Sequence, residues 1–252
     1  MKVIIDSAIP YIRGIVEPYA DVAYMAGAEI TNDAVRYADA LIIRTRTKVD
    51  ATLLENSNVK FVATATIGSD HIDLEYCKRH GIKVCSAPGC NARGVLQWVA
   101  ATLRHLVIKD CCTPQDYTLG VVGFGNVGSL VAQYARHWGF RVIECDPPRQ
   151  EREGGDFHTI EEIAKECDII TLHTPLDTTT RHLISSTLIE MMRPKATIIN
   201  ASRGGVVDNR AVLHSDHRYA FDVWEGEPDL DPDVLAGAEI ATPHIAGYSV
   251  QG

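Results

Sequence analysis

Three side chains late in the sequence, His244, Glu227 and Arg203, have types and spacing that suit chemistry at a hydroxyl beside a carboxylate. Moving a hydride off such a carbon needs a base for the hydroxyl proton and a cation to orient the neighbouring acid. Histidine titrates near neutrality and a carboxylate partner raises its pKa, so a His244–Glu227 pair could pass that proton in either direction. Arginine presents a planar fork that grips a carboxylate through two hydrogen bonds and stays charged throughout the working range. Arg203 stands in Asn-Ala-Ser-Arg-Gly-Gly directly after a strand-like run. All three residues follow strand-like runs, and ligands of open α/β sheets sit beyond the carboxyl ends of the strands. Each has a plainer alternative: His244 could cap a turn, Glu227 could be a solvated loop acid and Arg203 a surface cation.

A second set of residues suits a dinucleotide. In Leu119-Gly-Val-Val-Gly-Phe-Gly-Asn-Val-Gly128 an apolar strand runs into Gly123-x-Gly125-x-x-Gly128 and then into a helix over Val127 to His137. Gly123 permits the tight turn, Gly125 lets backbone approach a pyrophosphate, and Gly128 lets helix and strand pack closely. The following strand, Arg141 to Cys145, ends in Asp146, about 20 residues past the glycines, where a carboxylate can accept both ribose hydroxyls and repel a 2′-phosphate. NAD is therefore expected over NADP. Arg149 pulls the other way, since an arginine there can accommodate a 2′-phosphate.

The elements that must position these groups follow from the pattern of β-branched runs. KVII, ALIIR, KFVATA and IKVCSA in the first part, then LGVVGFG, RVIEC, DIITLH and ATIINA, alternate with helix-like stretches, which predicts parallel sheets with crossover helices. The glycine turn comes only at Gly123, so a separate α/β unit must precede the nucleotide-binding one. We expect two doubly wound parallel-sheet domains, a flavodoxin-like substrate lobe over 1–93 and a Rossmann lobe over 94–252, with the active site in the cleft. Gly94 to Ile108 reads as the joining helix, burying Val95, Trp98, Val99, Thr102, Leu103 and Leu106.

Composition narrows the function. The 252 residues are 46% apolar and 23% charged, which suits an ordinary globular protein, and no apolar run approaches the roughly 20 residues of a membrane span. The start lacks the features of a secretory signal, so a cytoplasmic location is expected. Seven scattered cysteines without a C-x-x-C pair read as reduced thiols, and the ten histidines form no zinc-like set, so no metal is expected. A net charge of -9 argues against nucleic acid.

The strings TATIGSDHIDLEYCKRHGIKV, VGFGNVGSLVAQYARHWGFRV, LHTPLDTTTRHLI, INASRGGVVDNRAV, FDVWEGEP and TPHIAGYS together resemble the D-isomer-specific 2-hydroxy-acid dehydrogenases over nearly the whole sequence. The resemblance implies Arg203 as substrate-orienting cation, His244 as proton donor and acceptor, and Glu227 as its tuning group. It implies NAD contacts from Asn126, Val127, Asp146, Thr174, Asp222 and Gly247. APGCNA at Ala87 to Ala92, the CDPPR ending at Arg149 and His244-Ile-Ala-Gly-Tyr248 point within the family to a small phosphorylated hydroxy acid, with substrate contacts at Thr45, Thr66 and Tyr248, and to a homodimer.

In IIRTRTK, Arg44, Arg46 and Lys48 alternate after a strand and could share a face turned to a phosphate, or form a solvated edge. Thr66 and Ser69 flank Gly68 in a turn able to offer amides to an anion. Competing readings are a dehydrogenase for another acid such as 3-phosphoglycerate and, from a different class, an NAD-sensing binding protein. Three features depart from the family pattern: Gln97 stands where an acid is usual, His214-Ser-Asp-His217 replaces a longer connection, and the sequence stops just past Tyr248, where relatives continue.

Overall fold

Side-chain alternation in Lys-Val-Ile-Ile-Asp buries Val3 and Ile5 on one face of a sheet and Ile4 on the other, so the strand is apolar on both sides, as a parallel sheet requires. In the computed structural model, which describes residues 1–66 and 68–248, this strand is β1 (Lys2–Asp6). It is joined by β2 (Asp21–Met25), β3 (Ala40–Ile43), β4 (Phe61–Thr64) and β5 (Lys83–Cys85), all parallel in the order β2-β1-β3-β4-β5. Register carries the alternation across the sheet: Ile4, Leu41, Val62 and Val84 lie in one row and pack with Val35, Leu53 and Leu54. Three short helices, α1 (Asn32–Val35), α2 (Ala51–Leu54) and α3 (Leu74–Arg79), cross between strands. Asp50 and Asp73 start the last two by accepting the Leu53 and Tyr76 amides.

These elements form one compact unit, Met1–Cys90, and the rest form a second, Asn91–Gly252. The long helix α4 (Ala92–Lys109) belongs entirely to the second. Its buried stripe is Ala92, Gly94, Val95, Leu96, Val99, Thr102, Leu103 and Leu106. Trp98, expected within that stripe, is only partly buried, and its indole N–H donates to the Thr242 hydroxyl at 3.0 Å.

The second sheet is again wholly parallel. Its strands are β6 (Thr118–Val122), β7 (Arg141–Cys145), β8 (Ile169–Leu172), β9 (Thr197–Asn200), β10 (Arg218–Phe221) and β11 (Ile240–Ala241), in the order β7-β6-β8-β9-β10-β11. After β6 the chain steps outward to β7 and then crosses back to β8, so a topological switch point opens beyond the carboxyl ends of β6 and β8. The connecting helices are α5 (Asn126–Trp138), α6 (Pro147–Glu153), α7 (Ile160–Glu166), α8 (Ser186–Met191), α9 (Asn209–Leu213) and α10 (Pro232–Gly237). The last five of these start on the caps Asp146, Thr159, Ser185, Asp208 and Asp231, whose side-chain oxygens accept a backbone amide two or three residues on. His214 to His217 form a closed turn from α9 to β10, with the Ser215 hydroxyl donating to Val212 O and His217 bonded to Ile189 O. Among the described residues no helix is long and apolar enough to cross a membrane.

Candidate active site

The site is built on the carboxyl ends of β9, β10 and β11. The chain leaves β10 into Asp222, which is 1% exposed. One Asp222 oxygen accepts the Thr242 hydroxyl at 2.5 Å and the Ile245 amide at 2.8 Å, and the other accepts the Ala246 amide at 2.8 Å. Its main-chain carbonyl takes the His244 amide at 2.7 Å. These bonds hold His244 at φ 58°, a left-handed conformation that costs a non-glycine residue roughly 1–2 kcal/mol. Asp222, a cofactor contact by resemblance, turns its carboxylate inward, where it serves the turn that carries His244. The indole N–H of Trp224 donates to Thr242 O at 2.9 Å and ties the same turn to the next loop.

That loop supplies Glu227. Its Oε1 accepts the Trp224 amide at 2.7 Å, which leaves Oε2 facing His244 Nδ1 at 2.9 Å. The bond to Glu227 is the largest influence on the imidazole. Burial works against it, but the charges of Glu227 and Asp222 add to it, and the pKa stands above the ordinary 6.5. For Glu227 burial alone would push the carboxyl up. The bonds from His244 and the Trp224 amide outweigh it, with help from the His244 and Arg203 charges, and its pKa falls below 4.5.

Arg203 follows β9. The buried Asn200 side chain shapes its turn, donating to Arg203 O at 3.0 Å and accepting the Ser202 amide and hydroxyl at 3.0 and 2.8 Å. The next residue, Gly204, lies so close to Trp224 that a Cβ would overlap the Trp224 carbonyl. This approach seats the Arg203 turn on the loop bearing Glu227, and the guanidinium charge is felt at both Glu227 and His244. The three groups nominated from sequence are therefore neighbours. An acid–base pair beside a cation can exchange a hydroxyl proton while a carboxylate is held.

Beyond the ends of β6 and β8 lies the glycine turn. Gly123 has φ 86°, and a Cβ there would stand 2.6 Å from His173 O. A Cβ on Gly128 would overlap Gly123 O, so helix α5 can start this close to the strand only with glycine. Gly125 is different: its Cβ position is open, with nothing within 4 Å. The 13-residue α5 begins at Asn126 and Val127 and directs its first amides past that opening. Thr174, beside Gly123, has a buried hydroxyl without a partner among the described residues. Asp146 accepts the Phe124 amide through Oδ2 at 2.7 Å and the Arg149 amide through Oδ1 at 2.9 Å, so its carboxylate is fixed at the tip of β7. An open glycine, a helix start, an unpaired hydroxyl and a fixed carboxylate suit the pyrophosphate and ribose of NAD. Gly247 packs against the first turn of α4, its carbonyl 3.0 Å from where a Gly94 Cβ would be.

In the first unit, β3 ends at Ile43, which corrects one expectation. Arg44, Arg46 and Lys48 occupy a turn and the segment after it, so strand alternation does not give them a common face. Arg44 donates to Ala8 O at 3.2 Å, and Lys48 pairs with Asp50 at 3.2 Å. Thr45 and Arg46 are exposed. The Thr66 hydroxyl is bonded to Thr64 at 2.6 Å and to Gly68 O at 3.2 Å, and Thr64 in turn meets His71 Nε2 at 3.2 Å. Tyr248 is exposed, its amide donating to Ile245 O at 2.8 Å.

The family model for the D-isomer specific 2-hydroxyacid dehydrogenase NAD binding domain matches residues 99–246. The chain belongs to this family. Among curated members it is 45% identical to the erythronate-4-phosphate dehydrogenase of Ectopseudomonas mendocina, over all of this chain and 68% of that one. It is 46% identical to that of Bacteroides thetaiotaomicron, over all of this chain and 76% of the relative. Among solved structures, NAD-bound 3-phosphoglycerate dehydrogenase from Entamoeba histolytica superposes with a TM-score of 0.85 at 26% identity, over all of this chain and 89% of that one. D-lactate dehydrogenase from Aquifex aeolicus, complexed with NAD and lactic acid, shares the fold with a TM-score of 0.82 at 24% identity, over 100% and 90% of the two chains. As a D-isomer specific 2-hydroxyacid dehydrogenase, the chain is an oxidoreductase with an NAD-binding Rossmann-like unit.

Knowing the family also shows what sequence reasoning missed in this dehydrogenase. Asn200 and Ser202 shape the arginine turn, and Thr242, Trp98 and Trp224 brace the histidine turn. Their type and position relative to the strands carry no signal on their own. Only the fold brings Trp98 to Thr242 across 144 residues.

Proposed function

We propose that the chain oxidises 4-phospho-D-erythronate at C2 to 2-oxo-3-hydroxy-4-phosphobutanoate, as a step in pyridoxal 5′-phosphate synthesis. The substrate comes from the relatives that match the full length of the chain at 45 and 46% identity, both erythronate-4-phosphate dehydrogenases. The observation that carries the chemistry is the 2.9 Å bond between His244 Nδ1 and Glu227 Oε2. It fixes the imidazole so that Nε2 is presented to a substrate hydroxyl. NAD, when bound, takes up the hydride. Every other task falls to the chain: His244 accepts the C2 hydroxyl proton, Glu227 stabilises the imidazolium that forms, and Arg203 holds the substrate carboxylate in its two-pronged grip.

NAD is held in this reading by Gly123, Gly125, Gly128, the first amides of α5 at Asn126 and Val127, the Thr174 hydroxyl, Asp146 at the ribose, and the loops of Asp222 and Gly247. Thr45, Thr66, Arg44, Arg46 and Tyr248 are assigned to the substrate, with residues 1–93 as its domain. The working form is a cytoplasmic homodimer.

NADH formation measured on a panel of 4-phosphoerythronate, 3-phosphoglycerate and D-lactate tests the assignment. The highest kcat/KM is expected for 4-phosphoerythronate. A preference for either other acid would reassign the substrate and leave the dehydrogenase chemistry standing.

A further inference from the structure

The arginine nearest the ribose carboxylate is occupied. Arg149 lies in the first turn of α6, its own amide bonded to Asp146 Oδ1. Its side chain turns back to Phe124 in the glycine turn. There Nη1 donates to Phe124 O at 2.5 Å, and the guanidinium lies 5.1 Å over the Phe124 ring. Phe124 is backed edge-on by Phe157 at 5.8 Å. One turn along α6, Glu153 Oε2 accepts Arg149 Nε at 2.8 Å, while Oε1 takes Arg152 at 2.6 and 3.1 Å. A guanidinium in this place would be a ready partner for the 2′-phosphate that separates NADP from NAD.

We infer that Glu153 sets the cofactor preference by latching Arg149 onto Phe124, so that the cation is not offered to a 2′-phosphate. Asp146 faces the ribose from the end of β7 in this reading, and the latch withholds a neighbouring cation that would compensate a phosphate against it. Arg152 and Arg149 keep the Glu153 carboxyl below its ordinary range, so the latch is charged at neutral pH. The inference rests on NAD binding at the glycine turn and extends it to a residue outside the dinucleotide fingerprint.

Four proteins test it: the parent, Glu153→Gln, Arg149→Ala and the double variant, each titrated with NADH and NADPH by cofactor fluorescence and each melted to check folding. Glu153→Gln is expected to improve NADPH affinity relative to NADH by about fivefold, the scale of one freed surface pair. The gain should vanish in the double variant, because it works through Arg149. An unchanged NADPH to NADH ratio in Glu153→Gln overturns the latch. So does a gain that survives without Arg149, which would mean simple charge repulsion by Glu153. A parent that binds neither cofactor would instead overturn the placement of NAD itself.

Discussion

His244 and Glu227, seventeen residues apart in sequence, meet at 2.9 Å between Nδ1 and Oε2, each delivered by a different loop at the same end of the second sheet. Neither loop could place its group alone. The imidazole depends on the buried Asp222 carboxylate and the carboxylate on the Trp224 amide, and Gly204 brings Arg203 onto the same loop.

The pair makes oxidation and reduction respond oppositely to pH. Oxidation needs the imidazole neutral, so kcat/KM for oxidation should rise with pH through a value above the ordinary 6.5, while reduction falls over the same range. Glu227→Gln removes the largest contribution that raises His244, and the limb should move toward lower pH. A limb that stays in place would exclude His244 as the titrating group.

Linkage sets a matching window for stability. His244 is raised in the folded state, so its contribution is complete below 6.5 and is lost as pH rises through its folded pKa. Glu227 is lowered, so its share is complete above 4.5 and is lost as pH falls through its folded pKa. The benefit of the pair to thermal stability should therefore be greatest between 4.5 and 6.5, and a Glu227→Gln protein should lose most melting temperature there.

Arg203→Lys keeps the charge and loses the two-pronged grip. It should lower kcat/KM by about 100-fold with NADH affinity unchanged. Steady-state kinetics and a fluorescence titration check this together, and equal loss in both would place Arg203 at the cofactor.

Two glycines should fail in different ways. Gly125→Ala adds a methyl where nothing stands within 4 Å, so the protein should melt as the parent does and bind NADH more weakly. Gly128→Ala drives a methyl into Gly123 O and should lower the melting temperature before any cofactor is added. If Gly125→Ala bound NADH normally, the pyrophosphate would lie elsewhere.

Asp222→Asn exchanges an acceptor for a donor inside a buried knot of three hydrogen bonds. A cost of about 1–3 kcal/mol is expected in denaturant unfolding. Turnover should fall further than NADH affinity, because the knot holds the His244 turn. Equal falls would place the Asp222 carboxylate itself against the cofactor.

Much of this arrangement was legible before the fold. The glycine turn and Asp146 advertise themselves because backbone sterics demand glycine at set intervals, and β6, β8 and β9 are buried throughout and so read as β-branched, mostly apolar runs. Strand β2 escaped because its side chains are half-buried, and β11 because two residues are too few to show a period. The cation cluster at Arg44 misled because alternation after a strand mimics a strand, whereas a turn from Arg44 to Thr47 breaks it. The inward face of Asp222 was invisible, since its partners lie 20 to 24 residues on and pair only once β10 and β11 are side by side.

The most direct test is His244→Ala, assayed for NADH formation from 4-phosphoerythronate and, separately, for NADH binding. Turnover should fall by about 10²- to 10⁴-fold, the usual contribution of a general base, with cofactor affinity retained. Turnover equal to the parent's would contradict proton transfer by the imidazole that Glu227 holds.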